Sequence, residues 1–346
     1  HFYYRPMSTN RILLFSSLFL ASWGLRTSSA DTQTELFAAM IMTKAQQASS
    51  IPTDSGVLVR HAETGLWKRL GPKIQMISSA TVDPSNPDTI FFACGNGIVR
   101  TTDGGANWRL VTGWRENDAL QIAIDPTNSD LVYAATAWGV TISKDGGDSW
   151  TAANKGLPEY FSKGIVIDHQ RPKRLLLATT TGLFESKNQA KSWKRVPSFP
   201  KVAALRLRRS ESNPDVWIAG TEGQGVWISK NDGKTWKQSA PDLKSANIYA
   251  VAIDPADASK LAAGGWGTGI YISNDSGVTW SQAKGDLPSP NITSIVYDQT
   301  VDHRLWASTF EEGTFYSDDD GAEWTNANID GAYVFDLGFL PEGLNL

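Results

Sequence analysis

With one cysteine, Cys94, the 346-residue chain cannot form a disulfide within itself. That cysteine falls in the apolar run IFFACG (90–95) and reads as an inert core residue rather than a nucleophile. No stretch between the repeats described below carries a helical period, so a helical domain is not expected. Histidine is scarce too: His61, His169 and His303 stand alone at expected strand ends or turns, with no spacing suited to a metal or a catalytic triad. There is no excess of positive charge, the formal net being −4, which argues against a nucleic-acid ligand. Neither a metal nor a cofactor is expected.

What the chain has instead is a repeat. The pattern SxDxGxTW returns at 101–108, 143–150, 229–236, 273–280 and 317–324, with a degraded copy at 186–193. The closing tryptophans fall at 108, 150, 193, 236, 280 and 324, and Trp67 stands one period earlier, so the steps run from 41 to 44 residues. That period suits a four-stranded propeller blade, which must stack on neighbours to bury its faces. In the second unit, strands are expected over 119–125, 131–136, 140–144 and 149–152, with turn residues at each join.

The repeated segment, called the box below, has a mechanical reading. Asp103, Asp145, Asp275 and Asp319 accept hydrogen bonds that hold a tight turn, and a glycine supplies positive φ. Trp108, Trp150, Trp236, Trp280 and Trp324 then open the fourth strand with a large sealing face. The acidic run Asp318-Asp319-Asp320 sits inside the sixth box and lacks the further oxygen ligands of a calcium loop.

These boxes resemble the Asp-box (BNR) repeats of sialidases, xyloglucanase-type glycoside hydrolases, sortilin-type receptor domains and photosystem II assembly propellers, over 57–340. The unit IDPTNSDLVYAAT (124–136) is most similar to the xyloglucanase and sortilin style. The expectation is an all-β, seven-bladed β-propeller. Six units span about 73–330, and the hairpin 57–61/67–70 joins a last strand, 333–340, as a composite closing blade. That blade counts one strand short, so either it has three strands or the chain is truncated at its C-terminus. Residues 31–56 read as a linker or short helix.

The N-terminus reads as a secretory signal with Met7 as the start: Arg11, an apolar core over 12–25 too short to span a bilayer, and Ser28-Ser29-Ala30 as cleavage site. An exported, monomeric domain, not embedded in a membrane, is expected.

Charge is unevenly spread. Between Lys163 and Arg209 lie 12 Lys or Arg and 2 acidic residues, so the remainder of the chain carries a net −14. Arg206 and Arg208 occupy innermost-strand positions where other units hold small or uncharged residues. They form either a buried salt bridge to an adjacent blade or an anion site near the axis.

The resemblance implies that box turns occupy one face and ligands the other, built by second-to-third-strand turns and inter-blade loops. Trp114, Trp138, Tyr160 and Trp266 are candidates there, with Phe310 and Tyr333; Phe161, Phe199 and Tyr249 lie on the same set of loops. An exported, non-catalytic propeller that binds a protein segment or glycan, of which one carrying acid groups suits the basic sector, is the expectation. The alternative is a glycoside hydrolase of xyloglucanase-like or sialidase-like type, using two carboxyl groups among Glu159, Glu222, Glu311 and Glu312. Against it, the chain lacks the FRIP-type segment of sialidases and has one propeller where the xyloglucanases resemble a clasping pair.

Overall fold

The computed structural model describes residues 34–42, 48, 55–113, 117–341 and 344. The expected signal segment and Trp114 lie outside the described residues, as does most of the expected linker.

Seven four-stranded antiparallel sheets form a seven-bladed β-propeller. Blades 1 to 6 span 77–110, 119–152, 162–195, 204–239, 248–282 and 292–326. Strand expectations for the second unit hold within two residues: Ala119–Ile124, Val132–Thr136, Gly139–Ser143 and Thr151–Ala152. Among the described residues the one helical element is the short 3-10 turn Pro241–Leu243. Innermost strands touch their neighbours in sequence around the ring, and Ala332–Pro341 touches both blade 6 and blade 1, closing it.

The closing blade corrects the expected linker. Thr34–Met42 is a strand inserted between Ala332–Pro341 and Gly56–Arg60, with Trp67–Leu70 outermost. It is the strand the blade lacked on paper, so the ring is complete with the C-terminal strand innermost. Its core, LFAAMIM (36–42), is apolar without alternation, a pattern that fits a helix as well as a strand covered on both faces. Pairing with residues some three hundred positions away decides between them.

Seven apolar clusters fill the seven seams, one between each pair of neighbouring blades. Each periodic tryptophan packs into the seam with the preceding blade: Trp67, Trp108, Trp150 and Trp193, then Trp236, Trp280 and Trp324. Several also bond across it, Trp67 Nε1 to the Ala327 carbonyl at 2.6 Å and Trp193 Nε1 to that of Ala153 at 2.8 Å. Trp108 stacks on Phe92 with ring centres 4.2 Å apart.

The box turns bond as their residues suggest. Asp145 Oδ1 accepts from Ser143 Oγ at 2.7 Å and from the Ser149 amide at 2.8 Å, and the Ser143 hydroxyl accepts from the Gly147 amide. Gly147 sits at φ +93°, where a Cβ would stand 2.7 Å from the Phe91 ring. Hydrogen bonds to its carboxylate hold Asp145 down at about 2, and Asp103 and Asp275 likewise. In blades 3 and 4 Asn188 and Asn231 make the same bonds without the charge.

Arg206 and Arg208 settle the channel. Their partner is not in an adjacent blade: Arg206 Nη1 and Arg208 Nη2 both lie 3.2 Å from Asp336 Oδ1, on the innermost strand of the closing blade. The reason is geometric, since seven innermost strands share one axis and a guanidinium can cross it. Arg206 also donates to the carbonyls of Tyr249 at 3.4 Å and Phe335 at 2.7 Å. Burial and the Arg206 charge push the Arg208 guanidinium down, against Asp336.

Truncating Trp236, 4% exposed, to Ala is expected to cost about 3–5 kcal/mol in chemical denaturation. Asp336→Ala leaves two guanidinium groups facing each other and is expected to cost about 2–3 kcal/mol, below the figure for fully buried pairs because both arginines keep some water. The depressed box carboxylates, against an ordinary value of 3.8, contribute stability that is complete above that value and is lost as pH falls toward 2. Melting curves across this window check it. Asp145→Asn is expected to remove that residue's share of the acid dependence and keep the turn, whereas Asp145→Ala lowers the melting temperature throughout.

Candidate functional site

The face opposite the box turns is built to one pattern. In blades 1 to 6 the residue that follows the second strand donates its amide to the carbonyl just before the innermost strand, as in Trp266 to Asn247 and Phe310 to Asn291. Each innermost strand also carries a bulge at its second residue, and the closing strand repeats it at Phe335. The extra residues, among them Lys163, Tyr249 and Phe335, therefore stand at one level around the channel mouth. Arg206 takes the carbonyls of two of them.

Onto this frame blades 5, 6 and 7 place a continuous row of rings. Trp266 meets Phe310 at 5.2 Å edge-on, Phe310 meets Tyr333 at 5.2 Å, and Tyr333 meets Phe335 at 4.4 Å. Trp266 is exposed at the outer end, and the inner end reaches the channel mouth beside Arg206. Burial raises the Tyr333 phenol, while the Arg206 charge opposes the rise. Across the mouth, Lys163 lies 5.0 Å from the Phe161 ring; burial lowers its ammonium and Glu222 opposes that.

Three of the aromatic candidates are thus brought together: Trp266, Phe310 and Tyr333. Trp138 and Tyr160 are exposed on the loops of blade 2 and the blade 2–3 connection and make no ring contact with the row. Trp138 donates instead to Asn117 Oδ1 at 2.5 Å. Phe199 is a correction: it is 1% exposed in the seam between blades 3 and 4, packed on Trp227 and Trp236. Phe335, the inner ring of the row, escaped sequence reading because an alternating strand gives no sign that a bulge turns one residue to the mouth.

The carboxyl candidates are spread over three loops, Glu311 and Glu312 sharing the turn between the second and third strands of blade 6. Glu159 accepts from Thr180 Oγ1 at 3.2 Å, Glu222 lies beside Lys163, and Glu311 is exposed at φ +64°. Glu312 borders an open cavity of about 620 Å3 with Asp286 and Asp330 at its other walls. Cys94 is buried, its thiol pushed up to about 11 by burial and bonded to the Gly97 carbonyl. Among the described residues no three metal-ligating side chains cluster, and no helix is long and apolar enough to cross a membrane.

No family model matches the chain. No curated protein matches it either. Solved structures do. A GH74 enzyme from Niastella koreensis superposes with TM-score 0.67 at 18% identity over 78% of this chain and 50% of that one. The extracellular domain of the proposed one component system BT4673 from B. thetaiotaomicron gives 0.61 at 16% identity, over 81% of this chain and 38% of that one. YCF48 bound to D1 peptide gives 0.55 at 17% identity over 73% and 82%. The chain thus spans half or less of the first two and most of the third. At such identities the likeness concerns the fold alone: the seven-bladed ring of this chain resembles the propellers of the GH74 enzyme, of the BT4673 extracellular domain and of YCF48.

Proposed function

We propose that the protein is an exported, non-catalytic recognition ring that holds a protein segment or a glycan on the face opposite its box turns. The observation that carries this is the row Trp266, Phe310, Tyr333 and Phe335, which descends from an exposed loop to the channel mouth at Arg206. Rings set edge-to-face or tilted leave apolar faces open to side chains or sugar rings, and Arg206 with Lys163 favours a ligand carrying an acidic group. An extended peptide fits best: the four rings follow one another in succession, and the single ring is close in size to YCF48, whose solved complex holds the D1 peptide.

A second reading is favoured by the cavity that Glu312 shares with Asp286 and Asp330, and by the fold it has in common with a GH74 enzyme. Under that reading two of these carboxyl groups hydrolyse a glycosidic bond. Binding of the secreted protein to peptide and glycan arrays, followed by titration of the best ligand, separates the two. Trp266→Ala and Tyr333→Ala are each expected to weaken binding by roughly 5- to 100-fold, as loss of a ring anchor does. Unchanged affinity in both variants rejects the row as the site, and xyloglucan cleavage that disappears in Glu312→Gln establishes the hydrolase instead.

A further inference from the structure

The basic sector of the sequence takes shape at the seam between blades 3 and 4, away from the aromatic row. A cleft of about 450 Å3 there is bordered by Arg171, Lys173 and Arg174, by Lys187, Lys194 and Arg195 from the outer part of blade 3, and by Lys234 from the blade 4 box. Its two acidic residues are engaged: Asp232 lies 2.8 Å and Glu185 2.6 Å from Arg174. Lys173, Lys194 and Lys234 are exposed and have no ion-pair partner among the described residues. On the other side of the same box turn a second cleft, of about 370 Å3, adds Lys230 and Lys237 with no acid in its walls.

Comparison with the other blades shows where this charge comes from. Asn188 and Asn231 stand where blades 1, 2, 5 and 6 have box carboxylates, and they keep the turn: Asn231 Oδ1 accepts from the Thr235 amide at 2.9 Å as Asp145 does from Ser149 at 2.8 Å. Lys173 stands where blades 1 and 2 have Asp88 and Asp130, and its carbonyl accepts the same amide bond, from Gln189 at 2.9 Å. Ser210 replaces the loop aspartate that is Asp83 in blade 1 and Asp125 in blade 2, and it too accepts a loop amide, from Asn213 at 3.1 Å. The frame tolerates either charge, since it uses only an oxygen lone pair or a backbone carbonyl. Blades 3 and 4 thus lack an acid at four such positions, whereas blade 5 lacks one, with Ser259 standing where blade 1 has Asp88.

We propose that the two clefts flanking the blade 4 box form a continuous track for a linear polyanion, an acidic polysaccharide bearing carboxylate or sulfate groups. Two basic clefts on either side of one turn suit a chain with repeated charges better than a single ion. The walls of both are concave and almost without exposed apolar side chains, which suits a hydrated sugar chain rather than a lipid surface. Lysine ammonium groups on flexible stems meet such spaced charges without demanding one fixed geometry.

The test measures binding of the whole protein to dextran sulfate and polygalacturonate, with uncharged dextran and phosphatidylserine vesicles alongside. The expected result is salt-sensitive binding to the two acidic polymers, weakened roughly a hundredfold in Lys173→Gln/Lys194→Gln/Lys234→Gln. These exposed positions leave the Arg174–Asp232 pairs intact, and an unchanged melting temperature verifies that. The control Lys68→Gln/Lys144→Gln/Lys284→Gln removes the same charge elsewhere. An equal loss in the control, equal binding to uncharged dextran, or preference for the vesicles each overturns the assignment. Trp266→Ala is expected to leave polyanion binding unchanged, so this site stands or falls separately from the aromatic row.

Discussion

Hydrogen bonding between the two ends of the chain is the constraint on which the rest depends. A blade alone is two apolar faces, and each face is covered only by the next blade, so six blades in an arc leave two bare faces. Pairing of Thr34–Met42 with Ala332–Pro341 supplies the seventh blade and removes both. It also carries Asp336 to the axis, where one carboxylate gathers arginines from blade 4 on the far side of the channel. Closure and the charge balance of the channel are thus one event.

Once the ring is closed, its two ends have different freedoms. At the box end, a short list of bonds fixes each turn and each tryptophan seals the seam behind it. Those bonds are indifferent to whether the acceptor is a carboxylate or an amide, which lets charge vary from blade to blade without moving the backbone. At the other end the repeated amide-to-carbonyl bond fixes only where each loop begins. Side chains there are free to differ, and blades 5 to 7 use that freedom to line up aromatic rings.

Much of this was legible because tryptophan spacing is a local property that stacking cannot alter. Trp67, with its box reduced to Gly65, still kept its period and still seals a seam, as Trp108 and Trp280 do. The strand 34–42 was not legible, since an apolar run without alternation acquires its conformation from what covers it. Phe199 looked like a loop aromatic and is a seam residue; Phe335 looked like strand filling and stands at the channel mouth. In both cases direction, not residue type, decides the role, and direction depends on bulges and neighbouring blades.

By itself the amino-acid order determined the blade, the number of full repeats and the unequal distribution of charge, because strand pairing within a blade joins residues fewer than about forty apart and repeat spacing and charge are read along the chain directly. Only the tertiary structure decided which distant segment completes the last sheet, which acid faces Arg206 and Arg208, and which of the scattered aromatics become one surface. Those outcomes follow from rotation of the blades about a common axis, which brings residues more than a hundred positions apart within hydrogen-bonding reach.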